Sequence, residues 1–134
     1  MSQPTFFFDR CFGQRLPQLV NSASPPFAVE WHDSRTSGFA QNTTDDEWLS
    51  VVGSRGWVVL SHDKRFHGES AALEAVRQHN IACFYLGGGS VPVWFKFVIF
   101  ARAYKSMMSR IQHEKAPYIF KVGDNGHIYR VKGI

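Results

Sequence analysis

Three short, uninterrupted apolar runs constrain this fold more than any other feature of the sequence. They are "TFFF" at residues 5–8, "WVVL" at residues 57–60 and "IACFYL" at residues 81–86. A strand with one face in water alternates apolar and polar residues, so these runs favour strands that are covered on both faces. Such strands are typical of parallel sheets with helices packed on each side.

Helical patterns separate these strands. A further strand, "FAVEWH", is predicted at residues 27–32, and apolar spacing predicts helices at residues 11–23, 44–56 and 70–80. An alternation of strands and helices with short connections implies right-handed crossovers and a parallel sheet. The prediction is a single three-layer α/β domain over residues 1–134, with a central, mostly parallel sheet.

The C-terminal part is predicted to hold a long helix and a β-hairpin. The helix covers residues 91–113, with Ser90 as its N-cap and Pro92 in its first turn. Its start, "VWFKFVIF", is apolar nearly all round, so it is either deeply buried or partly covered by another chain. The hairpin covers residues 117–131 as an appendage, and its exposed strand edge could pair with another chain.

Composition narrows the function classes only slightly. The chain has 15 Lys and Arg against 11 Asp and Glu, a formal charge of +4 that favours a polyanion such as RNA but does not require one. No apolar run is long enough to span a membrane and the N-terminus lacks a signal-peptide pattern, so a cytoplasmic protein is expected. Cys11 and Cys83 are expected to be buried free thiols.

Acidic residues follow two of the predicted strands. Asp9 comes directly after the first strand, and Asp63 follows the third. Because parallel strands end at the same edge of a sheet, these carboxylates are expected to converge. Asp45 and Asp46 open a helix and can join them if the long loop after His32 carries the chain back. Clustered carboxylates repel unless a divalent cation holds them together, and without a Cys/His cluster the expected ion is Mg²⁺ or Mn²⁺.

Each acid also has a purely structural explanation. Asp9 could cap the helix that follows it, and Asp63 could form the turn that ends a strand. Thr44 and Glu47 stand in the relation of a capping box, which together with the helix dipole explains the acids at residues 45–47. Taken one at a time, these positions do not decide between the two interpretations.

The segment "TDDEWLSVVGSRGWVVLSHDKRF" resembles the PIN-like group of nucleases. In that group an aspartate opens a helix, a glycine-containing turn follows, and a strand runs into S/T-x-D, as Asp45, Gly56 and residues 61–63 do here. The opening "FFFDRCFGQRLPQLV" fits the same group, with an acid at the end of the first strand before an "R-L" helix. The resemblance covers about residues 5–86.

The resemblance implies a ribonuclease that uses Mg²⁺ or Mn²⁺ to hydrolyse RNA, often a VapC-type toxin held inactive by an antitoxin. Asp9, Asp45 and Asp63 match the catalytic and metal-binding positions. The family's fourth acid has no clear match, and the candidates are Asp46, Glu47 and Asp33. The cations expected to hold the RNA backbone lie beside this edge: Arg10, His62, Lys64, Arg65 and His67. The partners implied are RNA, an antitoxin protein and a second copy of the chain.

Two other functions remain open at this stage. One is a catalytically inactive relative that binds RNA or protein through the same edge. The other is phosphoryl transfer to an aspartate, for which a D-x-D motif is expected after the first strand, whereas this chain has Asp9-Arg10-Cys11. Trp48 and Trp57 are expected in the core rather than as platforms for nucleic-acid bases.

Overall fold

A computed structural model describes residues 3–32, 38–40, 43–63, 69–87 and 91–131. The strands are β1 (Thr5–Phe8), β2 (Ala28–Trp31), β3 (Val58–Ser61), β4 (Ala82–Leu86), β5 (Tyr118–Val122) and β6 (Ile128–Arg130). The α-helices are α1 (Arg15–Ser22), α2 (Asp45–Arg55), α3 (Ser70–Gln78) and α4 (Val93–His113), and a short 3-10 helix spans Arg10–Phe12.

The six strands form one sheet in the order β2-β1-β3-β4-β5-β6. Each neighbouring pair from β2 to β5 is parallel, and β5 pairs with β6 in antiparallel fashion. The register places Phe8 opposite Leu60, so β1 and β3 end side by side. The predicted α/β class and mostly parallel sheet are therefore confirmed.

Helices cover both faces of the sheet, because the fully apolar strands send alternate side chains to opposite sides. Phe6 and Phe8 of β1 pack in a core with residues of α1 and α4. Phe7 packs in a second core with residues of α2 and α3, and its ring stacks on Trp48 with a centroid separation of 5.3 Å. Trp48 is a core residue, as the sequence predicted, and the three-layer arrangement is confirmed.

The C-terminal part differs from the prediction in two ways. Pro92 was predicted in the first turn of α4 but is its N-cap, with an extended backbone (φ −57°, ψ 156°), and Ser90, the predicted N-cap, lies outside the described residues. The proline fits this place because a helix N-terminus leaves its first N–H groups unpaired in any case. The hairpin of β5 and β6 exists, but it is not an appendage, because β5 extends the parallel sheet beside β4.

Burial along α4 also departs from the sequence pattern. Trp94 and Phe95 are 61% and 55% exposed, whereas Lys96 between apolar neighbours is only 3% exposed. The start of α4 is therefore not deeply buried. Cys83 is buried as expected, but Cys11 is exposed, contrary to the prediction. None of the helices in the described part of the chain is long and apolar enough to cross a membrane.

Candidate active site

The carboxyl ends of β1 and β3 place the first two candidate residues side by side. The backbone N–H of Asp9 donates to the carbonyl of Leu60 over 2.9 Å, so the pairing of the two strands continues one residue beyond β1. Asp9 is consequently the neighbour of Ser61, the last residue of β3. Asp9 is 5% exposed and Ser61 is 0% exposed, so this contact lies inside the protein.

The hydroxyl of Ser61 connects two of the aspartates. It donates to Oδ2 of Asp9 over 2.9 Å and accepts the backbone N–H of Asp63 over 3.0 Å. Asp9 occupies the N-cap position of the short 3-10 helix, yet its side chain makes no capping hydrogen bond. The side chain of Asp9 therefore serves the contact between strands rather than the helix cap. Asp63 follows β3 by two residues, and its backbone N–H is bonded to the hydroxyl of Ser61.

Asp45 reaches the same edge from the first turn of α2. The capping box forms as expected, with Thr44 Oγ1 accepting from the N–H of Glu47 over 3.3 Å and Glu47 Oε2 accepting from the N–H of Thr44 over 3.1 Å. Trp48 Nε1 donates to Asp45 Oδ1 over 2.9 Å, and a guanidinium nitrogen of Arg10 lies 3.7 Å from the same oxygen. The carboxylate of Asp45 is thus held in place from two sides.

The three aspartates share one electrostatic environment. Burial raises the pKa of Asp9 above its ordinary value of 3.8, and the negative charges of Asp45 and Asp63 raise it further. Hydrogen bonds from Ser61 and Cys11 act in the opposite direction. Hydrogen bonds thus offset part of the cost of holding ionised Asp9 near like charges.

The donor chemistry of this edge suits a hard divalent cation. Carboxylate oxygens are the ligands that Mg²⁺ and Mn²⁺ prefer. Within the described residues, however, no three His, Cys, Asp or Glu side chains lie close enough together to hold a metal ion in their present positions. A metal site built from Asp9, Asp45 and Asp63 therefore requires these side chains to come closer together than they lie here.

The remaining candidate acids lie elsewhere or outside the described residues. Asp46 accepts a hydrogen bond from Nε2 of His79 over 2.7 Å, and Glu47 is used by the capping box. The structure does not bring these two to Asp9. Asp33, a candidate for the fourth acid, is outside the residues that the structure describes.

Two of the five candidate RNA-binding cations are described, and both make structural contacts. Arg10 donates to the carbonyl of Thr43 over 2.9 Å in addition to its ion pair with Asp45. His62 donates from Nε2 to the carbonyl of Cys11 over 2.9 Å. Burial lowers the pKa of His62 below its ordinary value of 6.5, and the charge of Lys96 lowers it further, so the imidazole is neutral at pH 7. The other three candidates, Lys64, Arg65 and His67, lie outside the described residues.

Sequence reasoning did not assign a role to two residues that border the site. Cys11 is exposed as a residue, but its sulfur lies 3.7 Å from the Ser61 hydroxyl and accepts the N–H of His62 over 3.4 Å. Burial and the charge of Asp9 raise the pKa of its thiol to about 12. Lys96 donates from Nζ to the carbonyl of Gly87 over 2.7 Å. A lysine inside the apolar run "VWFKFVIF" was the signal that could have pointed to it.

A comparison with known protein families matches residues 4–88 to a family described as PIN like domain. This match covers more than half of the chain. The chain belongs to the PIN-like domain family. The matched residues run from β1 to the end of β4, so they include Asp9, Asp45 and Asp63. No curated protein and no solved structure gives a significant match.

Proposed function

We propose that this PIN-like protein is a ribonuclease that hydrolyses RNA phosphodiester bonds with the help of Mg²⁺ or Mn²⁺. The observation that carries the proposal is the link from Asp9 through the Ser61 hydroxyl to the backbone of Asp63, with Asp45 in electrostatic range of Asp9. PIN-like domains are commonly nucleases. Three carboxylates at one sheet edge, in a chain of overall charge +4, suit a metal-dependent reaction on a polyanion.

In this proposal Asp9, Asp45 and Asp63 would hold the metal ion, and the ion would supply an activated water and stabilisation of the charged phosphate. Ser61 keeps Asp9 in one orientation and fixes the backbone that leads into Asp63. Arg10 and Trp48 position the carboxylate of Asp45. The ring of His62 is neutral and bonded to the Cys11 carbonyl in the short 3-10 helix. It therefore borders the site and does not attract RNA by its charge.

The decisive experiment compares the wild-type protein with Asp63→Asn on structured and single-stranded RNAs, with Mg²⁺, with Mn²⁺ and with EDTA. Asp124→Asn is the matched control, because it removes the same charge from an exposed position between β5 and β6. We expect metal-dependent cleavage by the wild type and by Asp124→Asn, and at least a hundredfold slower cleavage by Asp63→Asn. Equal cleavage by all three proteins, or cleavage that survives EDTA, would refute the proposal.

We propose further that the nuclease acts in the cytoplasm as the toxin of a toxin-antitoxin pair. Support comes from the resemblance of its motifs to VapC-type toxins. Expression of the wild type in a bacterial host should then arrest growth, whereas expression of Asp63→Asn should not. A small protein encoded beside this gene should relieve the arrest and bind the purified chain. Normal growth during confirmed expression of the wild type would count against a toxin.

One observation favours a different function, that of a PIN-like module which binds RNA or protein without cleaving. The described residues do not gather three metal ligands, and Asp45 is engaged by Trp48 and Arg10. Under this alternative the wild type would bind RNA or a protein partner with equal affinity in Mg²⁺ and in EDTA, and no RNA would be cut. Calorimetric titration with Mn²⁺ adds a second discriminator, since the nuclease requires binding that Asp9→Asn weakens.

A further inference from the structure

The first turns of α4 expose aromatic side chains near the candidate active site. Trp94 is 61% exposed and Phe95 is 55% exposed. Of the other large apolar residues in the described part of the chain, only Tyr129 is as exposed as Phe95. α4 follows β4, so its N-terminus lies at the carboxyl edge of the sheet, where Asp9 and Asp63 also lie.

Contacts of Lys96 show how close this turn is to the site. Its ammonium group donates to the carbonyl of Gly87, directly after β4. Tyr85, near the end of β4, lies opposite Ser61 of β3, and the Ser61 hydroxyl donates to Asp9. The turn of α4 that carries Trp94 and Phe95 is therefore tied to the end of the strand next to the one that holds Ser61.

One face of α4 continues from these aromatic residues along the helix. Trp94, Val98, Arg102 and Lys105 follow one another at spacings of four, four and three residues, and Phe95 precedes Val98 by three. Residues at these spacings share one side of a helix. We call this set of five residues the outer face of α4. Trp94 and Lys105 are separated by about 16 Å along the helix axis.

The charge of α4 indicates what covers this face. The helix contains Lys96, Arg102, Lys105 and Arg110 but no Asp or Glu. Arg102 and Lys105 are exposed, and Arg102 donates to the carbonyl of Asp124, which leaves its positive charge in place. A second copy packed symmetrically on this face would bring the same cations against these, whereas a nucleic acid would bring phosphates.

We propose that the outer face of α4 is an RNA-binding surface separate from the three aspartates. Unpaired bases stack on Trp94 and Phe95, and Arg102 and Lys105 neutralise phosphates farther along the strand. Aromatic side chains bind bases of any sequence, because every base has a flat π face. The inference rests on the proposed function in one respect, namely that RNA is the ligand of the protein.

The test measures RNA binding in EDTA, so that it does not depend on cleavage. The probe is a short, unstructured, fluorescein-labelled RNA, and the readout is fluorescence anisotropy. Trp94→Ala should bind it about 5- to 150-fold more weakly than the wild type, the range expected for removal of one base-aromatic stack. Trp94→Phe should restore most of the affinity. Tyr129→Ala is the matched control, since Tyr129 is also 55% exposed but lies on β6.

An abasic RNA of the same length separates stacking from charge. Wild type and Trp94→Ala should bind it equally, because it offers phosphates but no bases. Changing Arg102 and Lys105 to Gln should instead make the decrease of log affinity with log salt concentration less steep. The magnitude of the slope should fall by about 0.7 for each phosphate that is no longer neutralised. Circular dichroism confirms that each variant is folded, which is expected because these side chains are exposed.

Three results would overturn the inference. They are equal affinity of Trp94→Ala and wild type for the base-bearing RNA, an equal reduction of affinity in Tyr129→Ala, and no RNA binding by the wild type. If sedimentation shows that Trp94→Ala changes the oligomeric state without changing RNA affinity, the face is an interface between copies instead. A wild type that binds RNA through Trp94 but never cleaves it would refute the nuclease while supporting this surface.

Discussion

Replacing Ser61 with alanine should damage both the stability of the fold and the geometry of the site. The Ser61 hydroxyl is fully buried, donates to Asp9 over 2.9 Å and accepts from the backbone of Asp63 over 3.0 Å. Alanine would leave a buried carboxylate and a backbone N–H without these partners. Because an unpaired buried polar group bears its whole desolvation cost, the effect should exceed that of an exposed Ser→Ala change.

The expected magnitude follows from the two hydrogen bonds. A bond to a charged group contributes about 1.5–3 kcal/mol and a neutral one about 1 kcal/mol, so the free energy of unfolding should fall by about 2–4 kcal/mol. With a typical urea m-value, this lowers the unfolding midpoint by roughly 1–3 M. Ser61→Thr keeps the hydroxyl but adds a methyl group to a closely packed position, so it should recover part of the stability.

The destabilisation should also depend on pH. The pKa of Asp9 is raised in the folded protein, so ionisation of Asp9 makes the fold less stable as the pH rises through that pKa, and Ser61 opposes this by lowering the pKa. Without the hydroxyl the penalty for ionised Asp9 grows. The difference in unfolding free energy between wild type and Ser61→Ala should therefore be largest at neutral pH and shrink as the pH falls toward 3.8, the ordinary pKa of the group.

Urea denaturation followed by circular dichroism measures these differences, and RNA cleavage by the same proteins measures the effect on the site. Ser54→Ala on the exposed side of α2 is the control, since the Ser54 hydroxyl donates to the carbonyl of Val51 within its own helix. A destabilisation below about 0.5 kcal/mol in Ser61→Ala, or one that is independent of pH, would show that the hydroxyl does not support Asp9 as argued.

Three further variants or modifications give clear expectations. Asp9→Asn should raise the urea midpoint at neutral pH, because it removes a buried charge but keeps an acceptor for the Ser61 hydroxyl. The same variant should abolish cleavage. A lowered midpoint would contradict the raised pKa of Asp9. Gly53→Ala should lower stability by about 1–3 kcal/mol despite the better helix propensity of alanine, since its Cβ would overlap the carbonyl oxygen of His79 in the present backbone; an unchanged midpoint in urea would contradict this. Alkylation of Cys11 at pH 8, followed by mass spectrometry, should be at least tenfold slower than in the denatured chain. The rise of its pKa from 9.0 to about 12 leaves roughly a thousandfold less thiolate, and the higher nucleophilicity of a more basic thiolate offsets only part of that loss. A rate equal to that of the denatured chain would show that the pKa of the thiol is not raised.

The burial of the strands was predictable because the apolar pattern within each strand agrees with its place between two layers of helices. Uninterrupted apolar strands such as "TFFF" and "WVVL" can be buried only between two helical layers, which is where Phe6, Phe7 and Phe8 lie. The capping box at Thr44 likewise depends only on residues three apart. Signals of this kind are contained within one element, so a single sequence reveals them.

The contacts that shape the site were harder to predict because they join distant parts of the chain. The bond from Ser61 to Asp9 spans 52 positions in sequence. Arg10 was expected to hold RNA, but it contacts Asp45 and the carbonyl of Thr43, which lie more than thirty positions away in sequence. The neutral state of His62 depends on burial and on Lys96, a residue more than thirty positions away.

The exposure of α4 shows a further limit of hydrophobic patterns. An apolar stretch predicts burial without saying which residue fills the core, and here Lys96 is buried while Trp94 and Phe95 are exposed. A buried lysine loses hydration, and burial indeed lowers the pKa of Lys96. Its bond to the carbonyl of Gly87 compensates part of that cost. The position of α4 on the sheet, and not the apolar character of each residue, therefore decides which side chains of the helix are buried.

The distribution of charge relates the two proposed surfaces to each other. Asp9, Asp45 and Asp63 bring negative charge to the sheet edge, where Asp45 and Asp63 raise the pKa of Asp9. These charges disfavour a phosphate group beside Asp9 unless a divalent cation lies between them. The outer face of α4 has cations and no acids in its helix, so it can attract RNA without a metal. RNA affinity in EDTA should consequently depend on α4, whereas cleavage should depend on the aspartates and the metal. The two dependences can be separated in one set of variants, because Trp94 lies on α4 and Asp63 follows β3.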